Sequence, residues 1–279
     1  MDHVTTIWIA AEIKAGCTFL YAVDPSGQLA RKTSITAPDE AAWIAAVTEF
    51  AETEDAALVT CGMASDGYRP LPAKPIAETL APKVCGPLTR IGIRGLSQSS
   101  PTAITSGAET RISGFLSLNP DFDGVLCLPD METTWAHISA GEVVSMQTFA
   151  TQHLATALSD EGECALPDPS TPEFDDALSD TISKPERLAA KLASARAEAR
   201  LQDHAGNTLQ AQTWGALLGA ELSATRPYWL GQQVAVISEP KLGALYSAAL
   251  GKQGLPPILA DGEAMLLKGF ALAWKRCKS

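Results

Sequence analysis

Two carboxylates stand two residues apart in Pro129-Asp130-Met131-Glu132, just past the apolar run Gly124 to Leu128. If the strand continues, its period of two puts Asp130 and Glu132 on one face. Such a pair can hold a cation or share acid–base work, and it can equally be a solvated strand end. Asp121-x-Asp123-Gly124 starts like a calcium loop, but the later ligands of such a loop do not follow. A plain turn before a strand is the simpler reading. Ser65-Asp66-Gly67 follows Gly62-Met63 at the end of another apolar run and reads as a ligand loop or as an ordinary turn. Ser238-Glu239-Pro240 follows the apolar run Val234 to Ile237. Turns of this kind, at the carboxyl end of a sheet strand, are where α/β proteins place ligands. A nucleotide there would favour glycine, and this turn carries Glu239. His137 and His153 have no evident nucleophile nearby and read as structural histidines.

These groups need strands and helices to position them. Thr6 to Ile13, Cys17 to Asp24 and Gln28 to Thr36 read as strands, the last two joined by the turn Pro25-Ser26-Gly27. Asp39 can cap a helix running to about Thr53. Ala56 to Thr60 is a buried-type strand. Residues 64–107 are rich in Pro, Gly and Ser and read as loop. The pattern restarts near Asp121, with a strand at Gly124 to Leu128 and a hairpin of Thr134 to Ser139 and Val143 to Thr148 through Ala140-Gly141. A helix follows at Thr151 to Leu158. Asp160 to Glu186 is acidic and carries prolines, and reads as an exposed loop or lid. Leu188 to Leu201 and Leu209 to Leu222 read as helices, the second turning Leu217 and Leu218 to the core. At the C-terminal end, Ser238 or Glu239 can cap a helix whose Leu242, Leu245, Tyr246 and Ala249 share a face. Gly254 can end it in the left-handed conformation. Pro256 to Ala260 is a further strand and Asp261 can cap the last helix.

The chain has 279 residues, which suits two domains or one large one, and its 46% hydrophobic content is ample for a core. Its formal charge of −11 argues against nucleic acid, whose binders carry a basic footprint. The six cysteines form no C-x-x-C and no Cys/His cluster, so no metal site is expected from them. No run approaches membrane-span length, and the start lacks a basic leader, so a cytoplasmic protein with no membrane partner is expected. No G-x-S-x-G elbow marks a hydrolase.

Read together, several segments resemble the 2-dehydro-3-deoxygalactonokinases, sugar-acid kinases of the actin–hexokinase superfamily. Leu242, Tyr246, Ala249, Leu250 and Gly254 stand in that family's Leu-x-x-x-Tyr-x-x-Ala-Leu-x-x-x-Gly pattern. Gly62-Met63 fits its Ala-Gly-Met segment. Gly107, Glu109, Thr110 and Gly114 fit its Arg-Gly-Glu-Glu-Thr segment, and Pro129, Trp135 and Thr148 to Thr151 fit the strand pair around its Gly-Thr-His-x-Lys-Trp motif. The resemblance implies an α/β fold of two ribonuclease-H-like domains around a cleft, divided as 1–117 and 118–279. It implies ATP and Mg as cofactors and a small sugar acid as ligand, with self-association left open. It places sugar contacts at Gly62, Met63, Ser65, Gly67, Glu109 and Thr110.

The resemblance is weak where phosphate should bind. Backbone N–H groups reach phosphate oxygens most closely where glycine leaves room. The family's first hairpin, Asp-Trp-Gly-Thr, aligns with Ala10, Ala11, Glu12 and Ile13. Glu12 in the glycine position would repel a phosphate 4 Å away by roughly 4 kcal/mol at an effective dielectric of about 20, or about a thousandfold in affinity. The second hairpin reads Asp130, Met131, Glu132, Thr133, Thr134 and Trp135, without the Gly-Thr or the Lys. The adenosine turn carries Ser238 and Glu239. Two function classes follow from the resemblance: a sugar-acid kinase with phosphoryl transfer impaired or lost, and a non-catalytic binder of a sugar acid or a partner.

Overall fold

A computed structural model describes residues 8–14, 16–24, 28–52, 56–159, 165–201 and 207–278. The turn expected at Pro25-Ser26-Gly27 lies outside them. In chain order the elements begin β1 (Trp8–Lys14), β2 (Cys17–Val23), β3 (Leu29–Ile35), α1 (Glu40–Ala51) and β4 (Ala57–Cys61). Next come β5 (Tyr68–Pro70), β6 (Pro82–Cys85), β7 (Leu88–Gly92), β8 (Gly95–Ser99), β9 (Thr102–Ile104) and α2 (Ala108–Leu118). The pattern restarts with β10 (Gly124–Leu128), β11 (Thr133–Ser139), β12 (Glu142–Phe149), α3 (Thr151–Ala157), α4 (Pro172–Ser183), α5 (Leu188–Leu201), α6 (Asn207–Ala224) and α7 (Arg226–Trp229). The chain closes with β13 (Val234–Ser238), α8 (Pro240–Gly251), β14 (Ile258–Asp261) and α9 (Gly262–Lys278).

Two compact units result. Unit 1 takes residues 1–122, 140–144 and 263–279, and unit 2 takes 123–139 and 145–262. The first division thus falls after Phe122 rather than at 117/118, and α9 goes with unit 1. Its Leu266, Phe270 and Ala273 pack with Trp8, Ala10, Tyr21, Val59 and Ile91 in one apolar cluster.

The main sheet of unit 1 runs β3-β2-β1-β4-β7-β6, and that of unit 2 runs β12-β11-β10-β13-β14. The first five places have the same connectivity. In both, a meander lies beside two later strands that pair in parallel, β1 with β4 and β4 with β7, then β10 with β13 and β13 with β14. Parallel strands buried on both faces read as continuous apolar runs, and β10 and β13 are buried throughout. This repeated order is the ribonuclease-H-like pattern, present once in each unit.

Local chemistry explains the element ends. Asp39 caps α1 by accepting from the Ala42 N–H at 2.8 Å. Replacing it with Ala is expected to cost about 1 kcal/mol, read as a shift in the denaturant midpoint. Ala140 and Gly141 both hold positive φ, 50° and 73°, as a two-residue hairpin turn requires.

Two loop readings are corrected. Within residues 64–107 a small sheet forms in the order β5-β8-β9, and β6 and β7 join the main sheet. The short polar strands hid there because Pro and Gly between them read as loop. The stretch expected as a lid contains α4, whose Phe174, Ala177 and Leu178 are buried beneath α6. Pro172 at its start is a helix-opening proline rather than a loop marker.

Candidate functional site

In unit 1 the strands β1, β4 and β7 run parallel, so their carboxyl ends share one edge. Three features converge there: Glu12, the loop Gly62 to Gly67, and Gly107 at the head of α2. Glu12 lies inside β1, opposite Phe19 of β2 and Cys61 of β4. It is not in the hairpin turn. The close pair is Lys14 with Cys17, and the turn glycine is Gly16, at φ 79° with open space about it. The alignment of Glu12 with the hairpin glycine is therefore corrected by the register.

The Glu12 carboxylate is 2% exposed. Arg111, from the first turns of α2, donates to both of its oxygens at 2.5 and 3.0 Å, and the Lys14 ammonium stands 3.6 Å away. A bidentate guanidinium–carboxylate pair is among the stronger charge-assisted contacts. Its opposite charges cancel, so the repulsion of phosphate expected from Glu12 does not arise. Gly107, at φ 95°, is needed for this closeness. A Cβ there would sit 3.2 Å from Glu12 Oε1 and 3.6 Å from Cys61 Sγ.

The loop after β4 is held rigidly. Gly62 has φ 84°, and a Cβ on it would run into the Ile13 carbonyl oxygen. Asp66 reaches back to Arg90 of β7 through two hydrogen bonds of 2.7 and 2.6 Å. Arg90 also donates to Thr60 Oγ1 at 3.0 Å and touches Met63 Sδ. Gly92 is small because its Cβ would strike the Asp66 carboxylate. These contacts leave Ser65 exposed on the loop.

Glu109 and Thr110 are both 0% exposed. Glu109 accepts from Thr105 Oγ1 at 2.6 Å and from the Gly107 N–H at 3.1 Å. Burial raises its pKa, opposed by these hydrogen bonds. Thr110 lies against Gly269 of α9. Their expected role as polyol contacts is corrected: they brace the site from behind. Arg111, the residue that follows them, was not singled out from sequence. The need of a buried Glu12 for a counter-charge was the missing signal.

In unit 2 the loop from β10 to β11 spans Pro129 to Glu132. Asp130 Oδ1 accepts from the Met131 N–H at 2.8 Å, and the Met131 carbonyl accepts from the backbone N–H of His153 in α3 at 3.4 Å. Glu132 is exposed. Directly behind the loop lies a buried network. Glu221 of α6 accepts from Trp135 Nε1 at 2.8 Å, from Tyr246 Oη at 3.0 Å and from Thr151 Oγ1. Tyr246 also meets Thr133 Oγ1 at 2.6 Å. Burial pushes the Glu221 pKa up to about 7 against the hydrogen bonds from Thr151, Trp135 and Tyr246. At the β13–α8 turn, Glu239 caps the helix by accepting from the Leu242 N–H at 2.7 Å, and Ser238 Oγ donates to the Glu239 carbonyl at 2.9 Å. Both side chains are thus used locally.

With this geometry in place, comparison with known proteins is decisive. A family model described as 2-keto-3-deoxy-galactonokinase matches residues 20–273. The chain belongs to the 2-keto-3-deoxy-galactonokinase family. It is 26% identical over 236 residues to a protein named as a probable 2-dehydro-3-deoxygalactonokinase from Rhizobium meliloti (strain 1021), covering 77% of each chain. Its fold is that of a protein assigned as a 2-dehydro-3-deoxygalactonokinase from Sinorhizobium meliloti, with a TM-score of 0.85, 21% identity and 96% of each chain covered. A more distant likeness, TM-score 0.52 at 7% identity over 97% of this chain and 95% of the other, is to the activator of the 2-hydroxyisocaproyl-CoA dehydratase from Clostridium difficile with bound ADPNP. As a member of this family the chain is a sugar-kinase relative of the actin–hexokinase fold class. Among the described residues no helix is long and apolar enough to cross a membrane.

Proposed function

We propose that this member of the 2-keto-3-deoxy-galactonokinase family binds a sugar acid of the 2-dehydro-3-deoxygalactonate type through unit 1, with phosphoryl transfer from ATP impaired. The carrying observation is the Glu12–Arg111 pair. Glu12 is the carboxylate at the carboxyl end of β1, and Arg111 holds both of its oxygens. A hydrated magnesium ion needs a carboxylate oxygen free to meet its water shell. The residues at this end of β1 therefore do not fit Mg–ATP of the usual kind. The β10–β11 loop adds to this, since Pro129 to Glu132 contains two acids and no glycine for close phosphate approach. On the sugar side, the pinned loop Gly62 to Gly67 is a preorganised element with Ser65 outward.

The test pairs binding with turnover. Sugar acid alone is expected to raise the melting temperature, as any ligand selective for the folded state does. A coupled assay with ATP–Mg and 2-dehydro-3-deoxygalactonate is expected to give turnover below about 0.1 s⁻¹, against about 10 s⁻¹ for a typical enzyme. Turnover near that typical value would overturn the impairment. No thermal response to any sugar acid would overturn the binding.

A further inference from the structure

Unit 1 carries six arginines in the described residues, and their partners divide them. Arg31, Arg90 and Arg111 are ion-paired with Glu52, Asp66 and Glu12. Arg69, Arg94 and Arg276 donate to backbone carbonyls instead. Arg69 reaches Lys74 and Pro75 at 2.7 and 2.6 Å, Arg94 reaches Tyr68 at 2.8 Å, and Arg276 reaches Ile76 and Ala77 at 2.9 and 2.8 Å. Among the described residues none of these three forms an ion pair. Carbonyls satisfy N–H groups but leave the positive charge in place.

Two of the three stand beside the candidate sugar loop. Arg69 belongs to β5, directly after Gly67 and Tyr68. Arg94 follows β7 by two residues and is exposed. A Cβ built on Gly67 would lie 3.7 Å from Arg94 Nη2 and 4.0 Å from its Nε, so the missing side chain keeps that flank of the guanidinium open. Arg69 Nε is buried with no hydrogen-bond partner. Burial lowers the Arg69 pKa, the nearby Glu109 opposes this, and Arg94 and Arg276 add to it. The positive charges of Arg94 and Arg276 thus bear on Arg69, and an anion held at Arg94 would offset them.

We infer that Arg94, supported by the charge of Arg69, anchors the carboxylate of the ligand at the Gly62 to Gly67 loop. The inference rests on the sugar-acid reading above. A guanidinium presents a planar fork that matches a carboxylate, and it stays charged at every physiological pH. Arg94 uses one N–H on Tyr68 and has the rest of its donors for a ligand. The site would thereby separate sugar acids from neutral sugars of the same size, since the neutral compound leaves the charge uncompensated.

The experiment is calorimetry on the full chain with 2-dehydro-3-deoxygalactonate and with its neutral primary amide. Arg94→Ala is expected to weaken the acid by roughly 10- to 100-fold, as loss of a charged hydrogen-bond pair does. Binding of the amide is expected to stay unchanged, and Arg94→Lys to fall between. Because Arg94 is exposed, melting temperatures of the unliganded variants should match the parent. If Arg94→Ala binds the acid as the parent does, the assignment is overturned while the sugar-acid reading stands. If it loses acid and amide alike, Arg94 shapes the loop and does not read the carboxylate, which also overturns it. If the parent binds neither compound, the sugar-acid reading falls and the assignment falls with it.

Discussion

Asp66→Ala is expected to destabilise the folded protein by about 3–5 kcal/mol, the cost of leaving a buried charge without its partner. The Asp66 and Arg90 side chains are 4% and 9% exposed, and their two hydrogen bonds are 2.6 and 2.7 Å long. Arg90 stays charged at any accessible pH, so it cannot escape the loss by neutralising. Thr60 and Met63 remain as neighbours but carry no compensating charge. The expected fall in melting temperature is roughly 10 °C. The double variant Asp66→Leu with Arg90→Met should recover most of it, because an apolar pair of similar volume avoids desolvating two charges. Asp66→Ala melting with the parent would show that the pair is not buried as described. The same variant should lose any sugar-acid thermal response, since the loop bearing Ser65 is tied to the sheet through Asp66.

How far the sequence foretells this site depends on the range of the interactions. The strand and helix cores were legible because their patterns are local. Val234–Ser238 is a continuous apolar run, and Asp39 and Glu239 cap the helices that sequence gave them. The small sheet of β5, β8 and β9 was not legible. Its strands are three to five residues long and half-polar, below what periodicity can register. The charge pairs were illegible for a different reason. Arg111 and Glu12 are 99 positions apart, and Arg90 and Asp66 are 24 apart. Only the tertiary fold, which sets α2 and the loop after β4 at the ends of β1 and β7, brings them together. The misplacement of Glu12 shows the limit of motif alignment. A two-residue hairpin turn fixes the glycine at Gly16, and residue matching without register put it in the strand. Glu221 did leave a signal. It is the one charged residue in the eighteen of α6, Asn207–Ala224, and a lone carboxylate within an apolar helix needs buried donors.

That carboxylate sets the second large effect, a dependence of stability on pH. Its folded pKa of about 7 stands above the ordinary value of 4.5. The folded state therefore holds the proton more tightly than the unfolded chain. The contribution is full below about pH 4.5 and is lost as pH rises to about 7, beyond which it changes no further. A shift of this size corresponds to about 3 kcal/mol. Exposed carboxylates such as Asp180, whose pKa is lowered by Lys191, act in the opposite direction, so the parent alone does not isolate the effect. Glu221→Gln does. Its amide can accept from Trp135 with one end and donate to the Thr151 and Tyr246 hydroxyls with the other, while the protonated acid donates to one of those hydroxyls and accepts from the other. The stability difference between Glu221→Gln and the parent is expected to be small at pH 4.5 and to grow by about 3 kcal/mol in favour of the variant by pH 8. Denaturant unfolding at a series of pH values measures it directly. A difference that stays flat across that range would mean Glu221 is ionised throughout, its three donors outweighing burial. Because the network joins β11, α3, α6 and α8 behind the Pro129 to Glu132 loop, amide exchange in that loop should quicken in the parent over the same pH interval, beyond the ordinary base-catalysed rise, and not in the variant.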